Sequence, residues 1–198
     1  MKQFLCLTCC LLLSLLCITS TKAQLRPLSS QSPTSIANAL NISDIKSPGF
    51  EFQKDGSFSS GDGKPFVVYE APGKSQRDLY QSMMIGIAKL FNHPDKVISS
   101  VEPSLITVNS ITSPCIPYGN QGKLKEVTYS MQIQFKDGKI RIDAPNILKY
   151  PKYDGWGDAI EWIKFQNLYP KAKIGLEAEF NNLISTMLQN SFGPASEW

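Results

Sequence analysis

Val127-Thr128-Tyr129-Ser130-Met131-Gln132-Ile133-Gln134-Phe135-Lys136, running on through Asp137-Gly138-Lys139 into Ile140-Arg141-Ile142-Asp143-Ala144, alternates apolar and polar side chains with a period of two. Successive side chains of a strand point to opposite faces. Val127, Tyr129, Met131, Ile133 and Phe135 therefore share one face, and Thr128, Ser130, Gln132 and Gln134 share the other. Asp137-Gly138 tolerates the positive φ that a tight hairpin turn requires. Ile140, Ile142 and Ala144 resume the apolar face on the return strand, with Arg141 and Asp143 opposite. The stretch predicts a β-hairpin with one face in a core and the other open.

Working outward, Leu105 to Ile111 and Val97 to Val101 read as two further strands around Glu102-Pro103-Ser104. Thr112 to Lys125 reads as a looser connection. Before these strands, Leu79, Met83, Ile87 and Leu90 recur at helical spacing, with Met84 and Phe91 widening the stripe. Ser75 and Asp78 make a capping-box start for this helix, and Pro94 biases His93 away from helical angles, so the helix ends near Asn92. Phe66-Val67-Val68-Tyr69 is a short strand stopped by Pro72-Gly73. On the far side, 148–171 is aromatic and irregular, with a short helix expected near Ala159 to Phe165 behind Asp158 and Glu161, and with Pro170 ending the segment. A final helix is predicted over Lys173 to Phe192, with Leu176, Phe180, Leu183, Ile184, Met187 and Leu188 as its apolar stripe and Gly193-Pro194 as its stop.

The element order is β-α-β-β-β-β-α. It implies an α+β fold: an antiparallel sheet with the helices packed on one face. The folded domain is expected over 65–192, followed by a short tail at 193–198. Ser29-Ser30-Gln31-Ser32-Pro33 and its surroundings mark 24–64 as a flexible leader. Within it, Phe50, Phe52 and Phe58 around Lys54-Asp55-Gly56 could form a small hairpin or an ordered arm.

Met1-Lys2-Gln3 followed by an apolar run from Phe4 to Ile18, with Thr21 and Ala23 before Gln24, reads as a cleavable export signal over 1–23. The run is shorter than the roughly 20 residues needed to span a bilayer. Cleavage after Ala23 is favoured over lipidation at Cys17, because Leu15-Leu16 is a poor context for that modification. The expected product is periplasmic or secreted, with no membrane span. Four of the five cysteines leave with the signal, so the remaining Cys115 can form no internal disulfide. With Lys2 and Lys22 also gone, 18 basic residues face 17 acidic ones. No basic stripe stands out, which argues against a nucleic-acid partner.

The chain has no Gly-x-Ser-x-Gly elbow, His-Glu-x-x-His, Cys-x-x-Cys or phosphate loop. Its one histidine, His93, lies at a helix end and has no second histidine or cysteine pair to complete a metal site. Cys115 reads as a passive thiol, since a catalytic one needs an activating base. Asp137, Asp143, Asp154, Asp158 and Glu161 could in principle supply the paired carboxylates of a hydrolase. Asp137 already serves a turn, however, and Asp158 a cap. No enzyme and no cofactor is expected.

Two surfaces remain for binding. One is the polar sheet face of Thr128, Ser130, Gln132 and Gln134 with Arg141. The other is the aromatic segment with Tyr150, Tyr153, Trp156 and Trp162, since exposed aromatics can stack on sugar rings or anchor a protein interface. The competing assignments are a solvated sheet face and a closed end of the core.

Arg77-Asp78-Leu79-Tyr80, Asn92-His93-Pro94-Asp95-Lys96-Val97-Ile98 and Phe135-Lys136-Asp137-Gly138-Lys139-Ile140-Arg141-Ile142 resemble an exported bacterial family of domains of unknown function with a TBP-like fold. The resemblance covers about 65–147, with the final helix completing the fold. It implies a fold and an export habit and brings no activity. The DNA binding of the eukaryotic namesake is not carried across, because fold does not imply function. A helix-grip ligand-binding fold would need more strands. The functional expectation is a non-enzymatic binding module of the cell envelope with a protein or glycan partner. The alternatives are a small-molecule or lipid binder with a cavity between sheet and final helix, and a carboxylate-dependent hydrolase.

Overall fold

A computed structural model describes residues 47–118, 123–152, 155–157 and 169–193. The expected export signal, the expected leader up to 46, the expected 159–165 helix and the expected tail beyond 193 lie outside the described residues.

Eleven strands and three helices are described. In chain order they are β1 (Glu51–Phe52), β2 (Phe58–Ser59), β3 (Phe66–Glu70), α1 (Gln76–Ala88), α2 (Pro94–Val97), β4 (Ile98–Val101), β5 (Leu105–Ile111), β6 (Ile116–Tyr118), β7 (Lys123–Lys125), β8 (Thr128–Lys136), β9 (Lys139–Asp143), β10 (Asn146–Lys152), β11 (Gly155–Gly157) and α3 (Tyr169–Phe192). The quoted stretch forms the centre of a seven-stranded antiparallel sheet. One edge of β8 pairs with β5 from Thr128 to Gln134, and β5 pairs in turn with β4. The other edge pairs first with β9 and then with β10. β3 adds to β9, and β11 adds to β10.

The alternation of β8 sends Tyr129, Met131, Ile133 and Phe135 into the core with Ile140 and Ile142 of β9. Both long helices cover that inner face. Tyr80 of α1 meets Phe135 edge-on at 5.8 Å, and Phe180 of α3 meets Tyr129 at 5.0 Å. Every apolar position predicted for α3 is buried, as are Leu79, Met83 and Ile87 of α1. The helices cross closely at Gly86, where an added Cβ would strike Ser191 of α3.

The expected helix start is present: Ser75 Oγ accepts the Asp78 N–H at 3.2 Å. The Asp137-Gly138 turn has Gly138 at φ 70°. It also reaches α1, since Asp137 Oδ1 accepts the Gln76 N–H at 2.8 Å. One acidic side chain thus ties the hairpin tip to the helix start, where the first N–H groups have no partner within the helix.

Four expectations are corrected. The folded part begins before Pro65: the hairpin allowed for around Lys54-Asp55-Gly56 is present as β1–β2, and Phe50, Phe52 and Phe58 are buried in the core, so 47–64 is not a flexible leader. Thr112 to Lys125 carries a small hairpin, β6–β7, in place of a loose connection. The segment from 148 is regular as far as it is described, because β10 and β11 extend the sheet. Pro170 does not end a segment but stands second in α3, where its missing N–H costs the helix nothing. In the same way Pro94 opens the single turn of α2.

Candidate functional site

The outer face of the sheet is covered by no described helix. Strand register fixes which side chains meet there. Thr107 lies opposite Gln132, Asn109 opposite Ser130, and Leu105 opposite Gln134. Gln134 lies opposite Arg141, and Ser130 opposite Asn146. Ser99 continues the Thr107 row on β4, and Val68 continues the Arg141 row on β3. Thr128, Ser130, Gln132, Gln134 and Arg141 are therefore brought onto one surface, as expected for the polar half of a period-two strand. Gln132, Asn109, Ser99 and Asn146 are exposed; Thr107, Thr128, Ser130 and Gln134 are half-buried.

The centre of this face is neutral and rich in hydrogen-bonding groups. Its charges sit to one side in a fixed network. Arg141 Nε donates to Asp143 Oδ1 at 2.6 Å, Gln134 Nε2 donates to Asp143 Oδ2 at 3.2 Å, and the guanidinium lies 4.0 Å from the centre of the Phe66 ring. A planar cation over a ring face and beside a carboxylate is held in one orientation. Arg141 is thus a rigid flank of the surface. Phe66, which the sequence did not single out, is what fixes it; its cue was the strand pairing of β3 with β9, which periodicity alone does not reveal.

The aromatic surface is only partly where the sequence placed it. Tyr150 is fully buried and belongs to the core. A register shift between Ile147 and Lys149 inserts one residue in β10, which turns Tyr150 inward. Trp156 is the middle residue of β11, opposite Pro151 at the sheet margin. Tyr153 and Trp162 lie outside the described residues.

The remaining chemistry-bearing groups have structural partners. Asp137 caps α1 and Asp143 holds Arg141; Asp154, Asp158 and Glu161 lie outside the described residues. His93 is exposed at the start of α2. Among the described residues no three His, Cys, Asp or Glu side chains group as metal ligands. Cys115 Sγ lies 3.5 Å from Thr112 Oγ1, and burial pushes the thiol up to about 12, so it stays protonated at neutral pH. Nearby, Glu179 of α3 accepts the Ser113 N–H at 2.9 Å, and burial holds its carboxyl above the usual range. Among the described residues no helix is long and apolar enough to cross a membrane.

Residues 66–149, from β3 into β10, match the family model described as a domain of unknown function with TBP-like fold, DUF4468. A crystal structure of a DUF4468 family protein from Bacteroides ovatus is similar to this chain with a TM-score of 0.50 at 14% identity, covering 86% of this chain and 100% of that one. A TBP-like protein from Parabacteroides distasonis gives a TM-score of 0.45 at 18% identity, over 64% of this chain and 92% of that one. No curated protein matches the chain. The chain has the TBP-like α+β fold of that family model, in which an antiparallel sheet carries its helices on one side. The hairpin β1–β2 and helix α3 lie beyond the matched residues.

Proposed function

We propose that the chain is an exported, non-enzymatic binding module of the cell envelope, and that it engages a protein or glycan partner through the outer face of its sheet. One observation carries this reading: Ser99, Thr107 and Gln132, with Asn109, Ser130 and Asn146 beside them, form two adjoining neutral rows that no described element covers. Neutral donors and acceptors can be desolvated against sugar hydroxyls or peptide groups without the cost of burying a charge. Arg141, already oriented by Asp143 and Phe66, supplies a positive group at the rim. The apolar run and small-residue site before Gln24 support export.

The test is a binding assay of the full chain, without 1–23, against envelope fractions treated with protease or with glycan-degrading enzymes. Thr107→Arg with Gln132→Glu should abolish binding while leaving the thermal midpoint nearly unchanged. Unaltered binding by that variant rejects the sheet face. Cell fractionation should find the chain outside the cytoplasm, starting at Gln24; a cytoplasmic chain retaining Met1 rejects export.

A further inference from the structure

Among the described residues, the strands of the hairpin β1–β2 pair only with each other and with no strand of the main sheet. Helix α3 holds the hairpin in place. Tyr169, Lys173, Glu177 and Asn181 stand four residues apart and so form one row along the helix. Asn181 Oδ1 accepts the Phe50 N–H at 2.9 Å, and Asn181 Nδ2 donates to the Phe50 carbonyl at 2.9 Å. Glu177 Oε1 accepts the Phe52 N–H at 2.8 Å. The Tyr169 hydroxyl and Lys173 Nζ donate to the Phe52 carbonyl at 2.9 and 3.2 Å. A Lys173–Glu177 ion pair at 2.8 Å fixes the middle of the row. Side chains of a helix therefore meet every backbone polar group of two alternate residues, much as a neighbouring strand would.

The side chains follow the same alternation. Phe50 and Phe52 are buried and Glu51 is exposed. The Phe52 ring lies 5.1 Å from Phe58 and 5.9 Å from Tyr169. The helix thus reads backbone groups at two positions and apolar bulk at the same two positions.

We propose that this row of α3 is a receptor for an extended peptide strand bearing large apolar side chains at alternate positions, and that Phe50-Glu51-Phe52 occupies it in cis. A partner segment of the same chemistry can make the same five hydrogen bonds. The arm joins β3 through a turn in which Ser60 N–H donates to the Lys64 carbonyl and Gly63 takes φ 78°, so it can lift away without breaking the main sheet. The short tether gives the cis arm an effective concentration on the order of millimolar, which makes it a strong competitor until something weakens it.

A fluorescent peptide of residues 47–60 tests this against the full chain. It should bind saturably to a Phe50→Ser/Phe52→Ser variant and at least about tenfold more weakly to the unaltered chain, whose own arm competes. Adding Asn181→Leu to that variant should abolish binding, and a peptide with serine at both phenylalanines should not bind. No binding to a folded double variant, or binding indifferent to Asn181→Leu, overturns the proposal. If the double variant does not fold, hydrogen exchange of the unaltered chain decides. The Phe50 and Phe52 amides should then exchange at least about 100-fold faster than those of Ile133 and Ile142, because the arm opens by itself. Equal rates mean that the arm opens only with global unfolding, and they overturn the proposal.

Discussion

Phe135 packs edge-on against Tyr80 and is buried between sheet and α1. Truncating a buried phenylalanine to alanine costs roughly 3 to 5 kcal/mol. Phe135→Ala should lower the unfolding free energy in urea by that amount, whereas Gln134→Ala next to it should cost under about 1 kcal/mol. Glu179 makes a pH-dependent contribution. Its carboxyl titrates higher in the folded chain than its ordinary 4.5, so folding favours the protonated acid. The associated stability is complete below the unfolded pKa and is lost as pH rises through the folded one. Glu179→Gln keeps an acceptor for the Ser113 N–H and removes the charge. Relative to the unaltered chain, its thermal midpoint should therefore gain more at about pH 7 than at about pH 4. A pH-independent difference would mean that the carboxylate is as well solvated folded as unfolded. Whether a residue on β8 or β9 faces the core was legible from period two alone. The burial of Tyr150 was not, because the inserted residue in β10 leaves no mark on composition or periodicity.

The elements predicted from periodicity and caps, namely α1, β5, β8, β9 and α3, stand close to their expected limits. The short strands β3 and β4 were also expected, but β6 and β7 were missed. β6 and β7 have three residues each, and Pro117 lies within β6; such elements take their stability from what they pack on, not from local preference. Helix α3 sits against β6, and Gly175 lets it do so. An added Cβ there would collide with the Cys115 carbonyl oxygen, a backbone atom with little freedom to yield. Gly175→Ala should destabilise by about 1 to 3 kcal/mol in spite of alanine's better helix propensity, as measured by thermal or urea unfolding. At the hairpin tip, Asp137→Ala frees the Gln76 N–H and should cost about 1 kcal/mol, close to the loss of an ordinary helix cap. An unchanged midpoint would show that water replaces that bond without penalty.

Among the described residues, the arrangement follows from one asymmetry. α1 and α3 pack on the inner face, with the aromatic arm against α3, so the outer face is left to Ser99, Thr107, Asn109, Ser130, Gln132 and Asn146. The sequence made the two-sidedness of β8 plain. It could not show that β5 and β10 set their own neutral polar residues beside it, since cross-strand register is a long-range property. Nor did it show where the hairpin it allowed for around Lys54-Asp55-Gly56 would dock, because the partners of Phe50 and Phe52 lie more than a hundred residues away on α3. The central claim is that binding takes place on the outer sheet face. Placing a photo-crosslinking amino acid at Gln132, and separately at the exposed Ile85 on α1, tests it most directly in cells producing the full chain. Adducts should form from position 132 and not from position 85. Adducts from position 85 alone, or equally from both, would contradict the account.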